Sequence, residues 1–168
     1  NEFTASDYMQ LDTTAGKLTY SNAWGSVPTD SVFGVNNSNN ANYLNEDYIA
    51  YCWHSVEGFS AFGSYIGNGS ANGPYIECGF RPAFILYKSA DAAQYWHIHD
   101  NVRDPDNPIS KDLYPNLSNA EANYTDYPMD FLSNGFKLRS SNGAWNASGH
   151  SHIFAAFAEM PQKYAVAR

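Results

Sequence analysis

Apolar side chains in this chain recur mostly at every second position, in short runs broken by Gly, Pro and Asn, and that pattern limits the fold to sheets. A pleated strand turns successive side chains to opposite faces, so period two buries one face and wets the other. No long segment carries the i, i+3, i+4, i+7 apolar stripe that a surface helix needs. The alternation predicts strands over Tyr8–Leu11, Lys17–Tyr20, Ser31–Val35, Asp47–His54, Phe59–Ile66, Tyr75–Gly79, Ala83–Lys88, Tyr95–Asp100, Gly135–Arg139 and His150–Ala158. Short strands at this spacing indicate an antiparallel sandwich or barrel. The expected fold class is therefore all-β, an antiparallel β-sandwich of jelly-roll or concanavalin-like form. Residues 104–128 are polar and hold four prolines. They read as a long irregular excursion with a short helical turn near Asn119–Ala122.

With 168 residues the chain is expected to form a single β-sandwich domain over 1–168. A weak internal repeat divides it further. Asn42 through Tyr48-Ile49-Ala50-Tyr51-Cys52-Trp53 aligns without gaps on Asn146 through His152-Ile153-Phe154-Ala155-Ala156-Phe157. Upstream, Ser31-Val32-Phe33-Gly34-Val35 echoes Asn134-Gly135-Phe136-Lys137-Leu138. On that reading 1–57 is the closing half of one unit and 58–168 a full unit. Either two related β units share one core, or the first half-unit completes the sheet of the second, or the chain is a fragment whose first half-unit was cut.

Charge narrows the partners. A net charge of −8 without a basic run leaves no basis for counterion release from a nucleic-acid backbone. The longest apolar run falls far short of the roughly 20 residues that span a bilayer as a helix, so membrane insertion is not expected. Tyr, Phe and Trp together make 16% of the chain while charged residues make only 15%. With abundant Asn, Ser and Gly, that palette suits a surface where a ring stacks on a sugar and short polar groups bond its hydroxyls.

The stretch Gly63-Ser64-Tyr65-Ile66-Gly67-Asn68-Gly69-Ser70-Ala71-Asn72-Gly73-Pro74-Tyr75 resembles a phosphate-binding loop only in its glycine content. Its glycines read G-x-G-x-x-x-G, no Lys-Ser/Thr follows, and a strand-like run comes next instead of a helix. A sandwich-edge turn is expected, with Gly67, Gly69 and Gly73 free to take positive φ and with Asn68 and Asn72 at an exposed tip.

The H-x-H pairs His97/His99 and His150/His152 could chelate a metal, yet neither has a third ligand at a recognisable offset, so solvent-facing or packed imidazoles are expected. Asp100, Asp104 and Asp106, with Asn101 and Asn107, offer oxygen ligands that could hold calcium, although Arg103 could already pair with one carboxylate. No other cofactor is expected. No strand carries the paired carboxylates of a glycosidase, and no nucleophile elbow is present. Cys52 and Cys78 read as buried free thiols, with a disulfide as the alternative. Trp53 and Trp96 lie on alternating strands and are expected in the core. Trp24 and Trp145 lie in turn-like AWGS and GAWNASG contexts, so they are expected to be exposed and to stack on sugar.

The runs YIAYCWHSVEGFSAFGSYIGNGSANGP, GFRPAFILYK, W-x-I-x-D-x-x-R, LYPN-x-x-x-A-E and DFLSNGFKLRSSNGAWNASG, followed by AAFAEMP, together resemble an uncharacterised β-rich domain of marine bacteriophage virion and tail-fibre proteins, including phages of cyanobacteria and pelagic bacteria. The resemblance covers nearly all of Ser26–Pro161. It implies a virion surface protein of β-sandwich type, a distal module of a tail fibre or similar appendage that meets the host envelope. His97, His99, His150 and His152 fall where that pattern is aromatic, aliphatic or small, which weakens the metal reading, and position 78 is not typically Cys. The expectation is a non-enzymatic receptor-binding module, homotrimeric, that recognises a host surface polysaccharide or other envelope receptor beside other virion proteins. The alternatives are a structural virion component, such as a capsid decoration or tail-assembly protein, and, less favoured, a polysaccharide depolymerase.

Overall fold

Alternation is satisfied by two antiparallel sheets that share one core. The computed structural model describes residues 3–22, 24–123 and 127–159. Its strands are β1 (Asp7–Tyr8), β2 (Leu18–Thr19), β3 (Ser60–Ile66), β4 (Tyr75–Glu77), β5 (Pro82–Ser89), β6 (His97–Asp100), β7 (Lys111–Asp112), β8 (Ala122–Asn123), β9 (Met129–Leu132), β10 (Gly135–Leu138) and β11 (Ser151–Ala158). One helical turn, α1 (Gly143–Asn146), precedes β11. The larger sheet runs β3-β11-β5-β6 and the smaller β4-β10-β9, while β1/β2 and β7/β8 form separate ladders. Every ladder is antiparallel and neither sheet closes on itself, so the architecture is the expected all-β sandwich and not a barrel.

Strand β11 occupies the centre because it is apolar on both faces. It pairs with β3 from Ser151 to Phe157 and with β5 over a similar length. Phe154 on its inner face meets Phe136 of β10 edge-to-face at 5.3 Å, and Tyr65 of β3 meets Phe136 at 6.2 Å. These contacts join the sheets through a core that also holds Ile85, Tyr87, Met129, Phe131, Leu138 and Trp145. Burying each large side chain of this kind contributes about 1.5–3 kcal/mol.

Five sequence readings need correction. Ser31–Val35 supplies only a single bridge, Val35 to Trp24, and residues 46–55 form no strand at all. A strand needs a neighbour to take its amides and carbonyls, and none pairs with 46–55 among the described residues. Trp53 is consequently 66% exposed and not in the core, whereas Trp96 is buried as expected. Cys52 is an exposed free thiol and Cys78 a half-buried one, whose burial raises its pKa to about 12. The helical turn expected at Asn119–Ala122 is absent; Ala122 opens β8, and the helix is α1, where the Asn142 side chain accepts the Ala144 amide. The excursion at 104–128 is irregular for most of its described length, but it places Ile109 and Tyr114 in the core.

The glycine-rich stretch carries the chain from β3 in one sheet to β4 in the other. Gly67 lies so close to the Ala147 carbonyl oxygen that any β-carbon there would overlap it. Of the three glycines expected at positive φ, Gly69 alone adopts it, at 65°. Fully buried Asn146 holds the loop. Its Oδ1 accepts the Asn68 amide at 2.8 Å, and its Nδ2 donates to Ser140 O at 2.7 Å, Ser70 O at 2.9 Å and Asn68 Oδ1 at 3.1 Å. Asn146→Ala strands these partners without replacement. Chemical denaturation should show a loss of about 1–3 kcal/mol with an unchanged m-value.

Candidate functional site

The first ladder is anchored by a carboxylate. Asp7 Oδ1 accepts the Thr19 hydroxyl at 2.6 Å, and Oδ2 accepts the Thr4 amide at 2.8 Å and the Thr4 hydroxyl at 2.9 Å. The Thr19 bond, then the Thr4 amide, holds the Asp7 pKa down at about 2. Trp24 is fastened to the same ladder: its indole Nε1 donates to Asp7 O at 3.1 Å, its backbone bridges Val35, and its carbonyl accepts Asn36 Nδ2 at 3.0 Å. The ring is thereby fixed in orientation while remaining only partly buried.

Beside it lies an open groove of about 280 Å³ lined by Tyr8, Gln10, Asp12, Trp24, Ser38 and Asn40, among others. Gln10 is tied to the main sandwich because its carbonyl accepts Trp96 Nε1 at 2.9 Å. An indole, a phenol, two amides and a carboxylate around a shallow hollow match the demands of a polyol, whose C–H face stacks on rings and whose hydroxyls need short polar partners. The volume sits near the small end of the ligand-site range, about 300 Å³, which suits one or two sugar rings.

The remaining predicted residues scatter. Asn68 and Asn72 are exposed on the β3–β4 loop, as expected, but neither lines this groove. The Asn68 side chain is also engaged, donating to Asn72 O and accepting from Ser70 N. Trp145 is fully buried, which corrects its reading as a sugar-stacking residue. The capped turn of α1 points its indole inward, where it stacks on Tyr87 at 5.3 Å and on His99 at 5.7 Å.

The proposed calcium ligands serve separate structural tasks. Asp100 pairs with Arg103 Nε at 2.5 Å. Burial works against ionisation of that carboxyl, but bonds from the Arg103 amide and guanidinium outweigh it and hold the pKa below its ordinary value. Asp104 accepts the Ser110 and Lys111 amides at 2.7 and 3.1 Å, while Asp106 is exposed. Among the described residues no three His, Cys, Asp or Glu side chains converge as metal ligands.

The histidines form a polar seam in the core. His97 and His99 face inward from β6, and His97 Nδ1 donates to Asp112 Oδ2 at 2.6 Å. Tyr87 stacks on His97 at 4.9 Å, and Tyr65 stacks on His152 at 5.0 Å. Desolvation pushes the pKa of both His99 and His152 down to about 4. All three imidazoles and Asp112 are at most 1% exposed, so this seam organises the core and meets no solute.

Sequence reasoning found Trp24 but not Tyr8, Gln10, Asp12, Ser38 or Asn40. Polar turn residues are common throughout the chain, and nothing in their local spacing marks these five as neighbours of one ring. A search of curated proteins and one of solved structures each found no match to the chain. A family model does match, over residues 1–161, with the description "Domain of unknown function (DUF7483)". The chain, matched over almost its whole length, belongs to that DUF7483 family.

Proposed function

We propose that the protein is a non-enzymatic, glycan-binding module of a virion surface appendage, in which the Trp24 groove holds part of a host surface polysaccharide. The observation that carries this reading is an oriented, partly exposed indole at the wall of a groove otherwise lined by a phenol, amides and small polar groups. The sequence resemblance to phage tail-fibre domains supplies the setting. A trimer would present three weak sites at high effective concentration, giving avidity that one shallow groove lacks. Cleavage of the glycan is not proposed. Among the described residues lining the groove Asp12 alone is acidic, and glycoside hydrolysis by the usual mechanism takes two carboxyl groups.

The test is binding of the full chain to a glycan array and to envelope polysaccharide from candidate host cells. Trp24→Ala should weaken binding at least about tenfold, the loss expected when one stacking ring of about 1.4 kcal/mol is removed. Asn40→Ala should reduce it less, and Asn72→Ala should leave it unchanged. Absence of wild-type binding to any envelope glycan sinks the reading and favours a structural virion component. For that second role the relevant observation is the exposed Tyr51–Trp53 pair, whose rings stack at 6.0 Å on open surface.

A further inference from the structure

The described parts of residues 7–46 repeat backbone pairings of the described parts of residues 111–150 at a spacing of 104. The β1/β2 ladder pairs Asp7 with Thr19 and Tyr8 with Leu18, and the β7/β8 ladder pairs Lys111 with Asn123 and Asp112 with Ala122. Each position in the second ladder is the first moved by 104. The single bridge Trp24–Val35 then stands where Met129 pairs with Leu138, within two residues of the same spacing.

A capped turn follows in both places. The Asn42 amide donates to Ser38 O at 2.8 Å, and the Asn146 amide donates to Asn142 O at 2.9 Å. Ser38 Oγ caps the Asn40 amide as Asn142 Oδ1 caps the Ala144 amide. Next, Glu46 N bonds Tyr43 O as His150 N bonds Ala147 O. Between them Asn45 takes φ 63° where Gly149 takes φ 78°. Positive φ is uncommon for a residue with a side chain, so its occurrence at the matching position is a specific coincidence.

Beyond this turn the two copies part. Ser151–Ala158 is the central strand β11, paired on both sides. Residues 47–54 form no strand, and Tyr48, Ile49, Tyr51 and Trp53 are exposed, Ile49 by 82%. Composition does not explain the difference, because both segments are apolar on both faces, the requirement for a strand buried between neighbours. What separates them is supply. β11 lies between β3 and β5, both contributed by residues 60–89, whereas no counterpart of those strands accompanies 47–54 among the described residues.

We infer that residues 47–54 are the central strand of a second sheet, completed by the β3- and β5-like strands of a preceding copy of this unit joined ahead of residue 1. The register follows from β11. Ala50 and Cys52 take the buried places of Phe154 and Ala156, and Tyr51 takes that of Ala155, which pairs with Phe62 on one side and Leu86 on the other. The seam between successive copies is already visible. Lys17 N bonds Ala90 O at 2.6 Å, Lys88 Nζ bonds Thr14 O at 3.0 Å, and Trp96 Nε1 bonds Gln10 O, so the β1–β2 loop of one copy rests on β5 and β6 of the next. Units stacked this way form a linear array in which each copy contacts its neighbours.

The test extends the full chain by a second copy of residues 58–104 placed ahead of residue 1. In that chain the amides of 48–54 should exchange at least about 100-fold more slowly than in the unextended chain, approaching those of β11, since they then open only with their sheet. Trp53 emission should shift to the blue, and the chain should remain free of dimer. Tyr51→Pro should abolish the new protection in the extended chain and leave the stability of the unextended chain unchanged. Fast exchange over 48–54 while β11 stays protected overturns the inference. So does concentration-dependent protection of 48–54 in the unextended chain, which would make a second molecule the partner. If the extended chain shows no protection anywhere, the same chain with the Ser151–Ala158 sequence in place of 47–54 is measured. Folding of that variant alone, or failure of both, overturns the inference too.

Discussion

Replacing Trp145 with alanine should destabilise the protein by about 3–5 kcal/mol, the range for deleting a large ring from a packed core. A domain of this size has a total stability of about 5–15 kcal/mol, so the variant should keep about 0–12 kcal/mol and melt well below the wild type. Two effects compete at this position. The indole Nε1 is buried with no hydrogen-bond partner among the described residues, so deleting it removes a desolvation penalty of about 1–3 kcal/mol. Against that, the ring is fully buried against Tyr87, His99 and the edge of Tyr127 at 5.9 Å, and its loss opens a cavity between rings that cannot close. The 3–5 kcal/mol range comes from measured deletions and already contains offsets of this kind, so packing wins. Trp145→Phe should recover more than half of the loss. A thermal melt with urea titration reads both variants, and a stable Trp145→Ala protein would return this residue to the surface. Its contrast with Trp24→Ala, which should cost glycan affinity and little stability, separates the two tryptophans that the sequence treated alike.

The second large effect is with acid. The pKa of His99 and of His152 lies near 4 in the folded protein, below the ordinary 6.5, because burial disfavours the imidazolium. Asp112 and Asp100 partly oppose the shift at His99, where His97 and Arg103 add to it; Asp91 opposes it at His152, where His150, His97 and Lys88 add to it. The unfolded chain therefore binds more protons than the native one between pH 6.5 and 4. Stability from these two groups is complete above about pH 6.5 and falls as pH drops through that window, by about 1.4 kcal/mol per pH unit for each fully buried histidine. Asp7 acts elsewhere: its pKa is lowered, so its contribution is present above 3.8 and is lost only as pH falls toward 2. Urea midpoints measured from about pH 7 to about pH 4.5 should decline steadily. His152→Phe, which keeps a ring against Tyr65, should remove roughly half of the slope, the share of one of two equal histidines. A flat profile across the window would mean that these imidazoles are not held neutral.

Some elements were legible because their signal is local. β3, β5, β10 and β11 fall within one or two residues of the alternating runs that predict them. β9 was missed because it follows directly on Pro128, at the end of the polar, proline-rich stretch that reads as an irregular excursion. α1 was missed for a similar reason: a single capped turn has no stripe. The candidate site was legible only at Trp24, whose turn-like context marks it. Its companions come from β1, the β1–β2 loop and the Ser38 turn, and only the folded chain sets those beside one ring.

The sequence by itself determined the period of the side chains, and with it the sheets, the turns that connect them and the 104-residue echo between the two ends of the chain. Those are properties of neighbours along the backbone. Burial was decided by tertiary structure alone. Trp145 and Trp53 show why: the indole in a turn became core because a capped helical turn aims it between two sheets, and the indole in an alternating run became surface because no described strand lies beside it. A side chain's pattern names the face it belongs to, but only a partner strand makes that face an interior.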